Sequence, residues 1–289
     1  MEHKDVRAFK ENAAQALADP NLASALGRMT QGLVPRRAEA LAALPEYEAL
    51  RQRGAELKDH VLGNLDHYLE VFEKNCTAAG GQVHWCPTAE DARRVILEIC
   101  RDAGAKTVTK GKSMVAEELR LNEHLERHGI TPVETDLGEY IVQLAEEPPS
   151  HIIAPAVHKT REQVSDLFHA HHAQYGKTER QTEPEALIGE AREVLRQKYL
   201  DADVGSTGAN YLIAETGSSV IVTNEGNGDL TQILPKVHVV VASIEKVVPT
   251  LEDATTILRL LARSATGQEF SAYTTFSTGP RREGDLDGP

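Results

Sequence analysis

From residue 80 onward the chain alternates short apolar runs with amphipathic helical stretches, and that rhythm restricts its fold more than any other feature. "GQVHWC" reads as a strand. Thr88-Ala89-Glu90-Asp91 then resembles a capping box with Asp in place of Glu, opening a helix that carries Ala92, Val95, Ile96 and Ile99 on one face and closes near Gly104. "KTVTK" is the next strand, and Ser113 caps a helix expected to run through His128, with Glu117 and Glu118 in its first turn. Gly129 stops it, and "TPVETD" is a third strand. Strand–helix alternation at this spacing predicts a largely parallel sheet covered by helices.

The flanks differ in texture. Residues 1–79 form a helical N-terminal region before an α/β domain over 80–289; Leu57, Val61, Leu65, Tyr68, Leu69 and Phe72 make a helical stripe, and Pro35 and Pro45 are expected to break the region into several helices. "AEEPPSHIIAP" reads as a loop or crossover, Thr160 to Gln163 as a capping box, and Pro184 to Leu200 as a further helix. After Gly205 the candidate strands are "NYLIAET", "SSVIVTN" and "KVHVVVAS", then a helix capped by Thr250 and a last strand in "EFSAYTTFST".

Composition removes several functions. A formal charge of −13 and only 4% aromatic residues argue against nucleic acid or an anionic membrane as partner. The longest apolar run, near Val237–Ala242, is far too short to span a bilayer, and the N-terminus lacks the features of a signal peptide, so the expected location is the cytoplasm. Cys76, Cys86 and Cys100 form no C-x-x-C pair and are expected to be buried and inert. His151, His158, His169, His171 and His172 lack metal-ligand spacing and read as solvated helix-face residues.

Three segments invite chemistry. "TKGKSM" fails as a nucleotide loop, because Lys106 stands where the first glycine is required. It still places Lys110, Lys112 and Ser113 between a strand and a helix start, a setting for an anion or for a plain capped turn. "GSTGAN" and "GNG" do not complete a dinucleotide fingerprint; Thr231 occupies the third glycine position after Gly226 and Gly228. "GANYLIAETGSSVIVTNEGNGDL" brackets one strand with two acidic turns, Glu215-Thr216-Gly217 and Asn224-Glu225-Gly226. By pattern they are equally a solvated hairpin or the rim of a site.

The long segments from "TKGKSMVAEELRLNEHLERHGITPVETDLGEYIVQLAEEPPSHIIAPAVHK", through "TGANYLIAETGSSVIVTNEGNGDL", to "RSATGQEFSAYTTFSTGPRREGDLDGP" resemble the lactate-utilization protein B family, whose shared module is the LUD domain. The resemblance covers essentially the whole chain. It implies a mostly parallel sheet of the ribose-5-phosphate isomerase and CoA-transferase type. It further implies an electron-transfer subunit acting with partner subunits in a complex that oxidises L-lactate to pyruvate. Full-length members are expected to carry two four-iron–four-sulfur clusters in a ferredoxin-like C-terminal region. The cysteines for them are absent here, so no cofactor is expected in this chain. By fold analogy a site for a small carboxylate or phosphate lies at the C-terminal strand ends. Lys110, Lys112 and Ser113 would bind it together with Gly208, Asn210, Thr216, Gly217, Asn224 and Gly226, and Glu215 and Glu225 would be its catalytic acids. Two alternatives stand beside this: an assembly scaffold without chemistry, and an independent transferase or isomerase using Glu215 as nucleophile.

Overall fold

The computed structural model describes residues 8–282. Four helices come first: α1 (Phe9–Ala18), α2 (Pro20–Ala42), α3 (Tyr47–Gly63) and α4 (Leu65–Ala78). Pro45 lies between α2 and α3 as expected, but Pro35 sits inside α2 without ending it. The helix is gripped beyond the proline by α12, described below: Arg263 Nη1 donates to Ala40 O at 3.0 Å and Arg37 Nε to Ser264 O at 3.1 Å. These contacts offset the hydrogen bond that proline removes.

The α/β part continues with α5 (Ala89–Asp102), β1 (Thr107–Lys110), α6 (Met114–Glu118), α7 (Leu121–Arg127), β2 (Thr131–Glu134), α8 (Leu137–Leu144), α9 (Arg161–His172), α10 (Pro184–Leu200) and β3 (Val204–Thr207). Then follow β4 (Tyr211–Ile213), β5 (Ser218–Thr223), α11 (Asn227–Ile233), β6 (Val237–Val240), β7 (Val247–Val248), α12 (Leu251–Thr266) and β8 (Tyr273–Ser277). Thr88, Ser113, Thr160 and Thr250 all accept a backbone N–H at the helix starts expected of them. The helix after Ser113 does not run unbroken to His128: Arg120, at φ 51°, turns the chain left-handed between α6 and α7.

One sheet has the order β2-β1-β3-β6 and is parallel throughout. Val108 pairs with Pro132 and Thr109 with Val133, so Val108 and Val133 point to opposite faces. Val108 buries against Ile96, Cys100, Leu121 and Leu125 of α5 and α7. Val133 buries against Tyr140, Phe168, Leu187 and Leu195 of α8, α9 and α10. Helices on both faces are what an all-parallel sheet requires. A second sheet, β7-β4-β5-β8, is mixed, with β4-β5 and β5-β8 antiparallel. Helices α3 and α4 bury Val61 and Phe72 against Ala214 and Val247 beside this second sheet, so the N-terminal helices share its core.

Two strand readings change. "GQVHWC" is not a strand: Val83 packs against the α3–α4 cluster, Trp85 is exposed, and no strand among the described residues pairs with the segment. Sequence reading passed over the short β7 and also β3, which is central in the parallel sheet. Its Gly205 lies under α11 so closely that a Cβ there would stand 1.9 Å from Thr231 O. Strand propensity is sacrificed at that position for helix–sheet contact.

Candidate functional site

The order β2-β1-β3 reverses the progression of the chain across the sheet between the parallel strands β1 and β3, and in open parallel sheets the carboxyl ends of strands at such a point form a natural ligand rim. Gly111 and Gly208 leave those two ends. Gly111 N donates to Ser206 O at 2.8 Å, and Gly208 lies against the Ser113 side chain.

Beneath the rim is a closed ionic floor. Lys110, expected to reach for a ligand anion, is instead fully buried. Its Nζ donates to Glu134 Oε1 at 2.6 Å, Asn122 Oδ1 at 2.6 Å and Glu117 Oε1 at 3.4 Å; Asn122 Nδ2 also donates to Glu134 Oε1, at 2.7 Å. Desolvation works to lower the Lys110 pKa, but Glu134 and Glu117 prevail and hold it above its ordinary value. Burial raises the Glu117 carboxyl against the pull of Lys110. One ammonium therefore serves two carboxylates, and its charge is spent inside the protein.

The rim itself carries Lys112, Ser113, Asp136, Glu139, Gly208 and Glu225. Ser113 Oγ accepts from Ala116 N at 3.2 Å and so caps α6. Asp136 Oδ1 accepts from Glu139 N at 3.1 Å and caps α8. Lys112 is half-buried, and among the described residues its Nζ has no hydrogen bond and no carboxylate at ion-pair distance. Glu139 is only 4% exposed, and its carboxyl oxygens, which take no hydrogen bond among the described residues, keep some contact with solvent. Burial, with Glu134, Glu117 and Asp136 nearby, pushes it up to about 7 against the pull of Lys112. Glu225 is exposed; partial desolvation and Asp136 raise its carboxyl, and Lys112 opposes them.

The two acidic turns of the hairpin do not share this rim. Glu215, Thr216 and Gly217 close the far end of β4 and β5, while Glu225 follows β5 at the near end. The six residues of β5 put about 20 Å between those ends. Glu215 Oε2 accepts from Leu251 N at 3.2 Å, at the start of α12. Gly217 has φ +67° and lies so close to α4 that a Cβ would stand 2.2 Å from Cys76 N. Asn75 Nδ2 clamps the same turn through Ala214 O and Glu215 O, at 2.8 and 3.0 Å.

Two of the expected ligand-binding amides are occupied by the framework. Asn210 Oδ1 accepts from Val222 N at 2.9 Å, zipping the open end of the hairpin. Asn224 Oδ1 accepts from Ala272 N at 3.1 Å and its Nδ2 donates to Gln268. Gly226, at φ +71°, starts α11 beneath the Tyr273 ring. Sequence reading missed Asp136 and Glu139. The signal was present in "ETDLGEY", where a strand ends in Glu134 and two further acids follow at helix-cap spacing.

His172 is also not on a solvated face. It is fully buried, with Tyr140 Oη 3.0 Å from Nε2 and Glu190 Oε1 2.8 Å from Nδ1, whereas His169 is exposed. Desolvation keeps the His172 pKa below its ordinary value, against the pull of Glu190. The cysteines do not fit an iron–sulfur group. Cys100, on α5, is buried in the core against the parallel sheet and α7 with its thiol pushed up to about 11 by desolvation, while Cys76 and Cys86 are only partly buried elsewhere. Among the described residues, no group of three or more His, Cys, Asp or Glu is placed to hold a metal ion. No helix among them is long and apolar enough to cross a membrane.

Residues 69–288 match the family model described as the LUD domain. The chain is 44% identical over 283 residues to a lactate utilization protein B of Bacillus velezensis, covering 98% of this chain and 59% of that protein. The Bacillus subtilis protein of the same name is 44% identical over 283 residues, covering 98% and 58%. An Escherichia coli protein named as an uncharacterized electron transport protein, YkgF, is 41% identical over 281 residues, covering 97% and 58%. The chain thus spans under three-fifths of the length of these relatives. No solved structure matches it significantly.

Proposed function

This chain belongs to the LUD domain family, and on that premise we propose that it is the LUD module of an electron-transfer subunit in a bacterial lactate-utilization system that oxidises L-lactate to pyruvate. The observation that carries the reading is the near-complete alignment, 98% of this chain at 44% identity, with proteins named for lactate utilization. The name of the Escherichia coli relative adds electron transport. In this reading the iron–sulfur clusters, and the step that moves electrons through them, belong to the part of such proteins outside this chain. The module's own tasks are to dock against partner subunits and to hold a small anion at the strand ends, where Lys112 is a cation without a hydrogen bond or ion pair among the described residues.

The test is replacement. In Bacillus subtilis, the matching region of its lactate utilization protein B is exchanged for this chain, and growth on L-lactate as sole carbon source is measured. Growth restored to near the parental rate is the expected result. A chimera that accumulates as soluble protein but leaves the cells unable to use L-lactate refutes the reading.

A further inference from the structure

Strand β8 closes one side of the second sheet and is open along its outer edge. It pairs with β5 in unbroken antiparallel register, from Ser219 with Ser277 to Thr223 with Tyr273, and no other strand among the described residues pairs with it. The direction of its backbone groups follows from β5. Val220 O accepts from Asn210 N at 2.8 Å and Val222 N donates to Asn210 Oδ1 at 2.9 Å, so these residues bond toward β4. Ser219, Ile221 and Thr223 therefore bond toward β8, and their partners Ser277, Thr275 and Tyr273 bond back. That leaves the N–H and C=O of Thr274 and Phe276 aimed outward from the sheet. Nothing blunts this edge: β8 has no charged residue, proline or bulge, and Tyr273 and Phe276 are 48% and 41% exposed. The edges of the parallel sheet differ. In β2, Pro132 to Glu134 are buried, and β6 directly follows Pro235 and Lys236.

We propose that β8 is a self-association edge: it pairs antiparallel with β8 of a second copy of this chain, about a two-fold axis at Thr275, and joins the two mixed sheets into one. In that register Thr274 of each copy faces Phe276 of the other, and each such pair exchanges both outward backbone bonds. The Phe276 ring and the Thr274 side chain lie on one face of the strand, so each ring covers a threonine across the seam, a favourable aromatic and β-branched pair. The proposal is independent of the anion reading above.

Charge selects a second copy as the occupant. The chain carries −13, so two copies repel one another over most of their surfaces. Residues 270–280 carry no charged side chain and no histidine, which makes this the stretch where two copies approach without that cost. The ends of the stretch have opposite signs. Glu269 stands four residues before β8, and Arg281 stands four residues after it with Arg282 beside it. Antiparallel pairing turns the acidic end of each copy toward the basic end of the other; parallel pairing sets like against like. The Glu269 side chain is 77% exposed even though Arg263 Nη2 lies 2.9 Å from its Oε1. The strand is also held in place before a partner arrives. Thr275 Oγ1 donates to Asp229 Oδ1 and Ser277 Oγ to Gln232 Oε1, both on α11, so pairing orders little that is not already ordered.

The experiment is sedimentation equilibrium of the chain from about 1 to about 100 μM, the range of a small, reversible interface. The expected mass rises from 31.6 kDa toward twice that value. Thr274→Pro removes an outward N–H while leaving the bonds to β5, and Thr274→Lys sets a charge on the edge; each raises the dimer Kd by about tenfold or more and leaves the thermal unfolding midpoint near the parental one. Thr255→Lys, an exposed change on α12, leaves the Kd within about twofold. Register is tested by Thr275→Cys. At the two-fold axis this residue meets its own copy in a non-hydrogen-bonded pair, with Cα atoms about 4.5 Å apart, so mild oxidation links the two chains through it. Cys76, Cys86 and Cys100 remain in the parent as the background. A chain that stays monomeric to about 100 μM overturns the proposal. So does a dimer that folded Thr274→Pro and Thr274→Lys proteins both retain, or one in which Thr275→Cys cross-links no more than the parent.

Discussion

Glu139→Gln is expected to stabilise the protein, by an amount set by pH. The folded chain holds this carboxyl at about 7, against 4.5 for an unhindered glutamate. The folded state therefore binds more protons between those two values, and stability falls as pH rises through that window. Above it the protein carries the full cost of an ionised, buried carboxylate among three other acids. At about 1.4 kcal/mol per pH unit the cost reaches roughly 3 kcal/mol. Glutamine has nearly the same shape and never ionises. The variant's advantage is thus close to zero near pH 4 and about 3 kcal/mol by pH 8, or about 5 °C in Tm for a chain of this length. Thermal unfolding of both proteins, scanned at matched ionic strength across that range, measures the difference directly. Taking the difference cancels the other titrating groups that the two share, Glu225 included. A stability difference that stays constant with pH, or a variant less stable than the parent at the alkaline end, refutes the assignment of Glu139 as a strained, ionisable group.

Two further substitutions probe the floor and the sheet. Lys110→Met removes the ammonium that Glu134 and Glu117 share, leaving buried carboxylates uncompensated; a loss of about 3–5 kcal/mol is expected in urea unfolding, with part of it recovered when Glu134→Gln is added. Gly205→Ala drives a methyl group to 1.9 Å from Thr231 O, so α11 must move off β3; a loss of about 3 kcal/mol or insoluble expression is expected, checked by the same unfolding curve.

What sequence reveals here follows from how local each signal is. Caps are local, and Thr88, Ser113, Thr160 and Thr250 all act where the pattern places them. Strands β4, β5, β6 and β8 announce themselves by their β-branched and aromatic residues. Strand β3 does not, because "VGST" is small and polar; it is a strand because two neighbours pair with it and α11 presses on Gly205. "GQVHWC" shows the converse: adequate propensity, but no neighbour to pair with. What was legible of the candidate site was which turns come together, not which partners each group takes. Lys112, Ser113, Gly208 and Glu225 do meet at one rim, while Glu215, Thr216 and Gly217 belong to the opposite end of the hairpin. The two turns look alike in sequence because acid-plus-glycine is how a chain leaves a strand at either end. Only the direction of β5 in the sheet separates them.

Lys110 and Lys112 make the same point in terms of charge. They are two residues apart in one short motif, and by composition they are interchangeable cations. Lys110 is the last residue of a fully covered parallel strand, so its ammonium must find partners inside, and Glu134, Asn122 and Glu117 supply them. Lys112 lies past Gly111, where the chain has left the sheet, and no such partners reach it. The motif "TKGKSM" thus presents one usable positive charge and not two. A single cation set among Asp136, Glu139 and Glu225 leaves the surroundings net negative, which works against any dianion there.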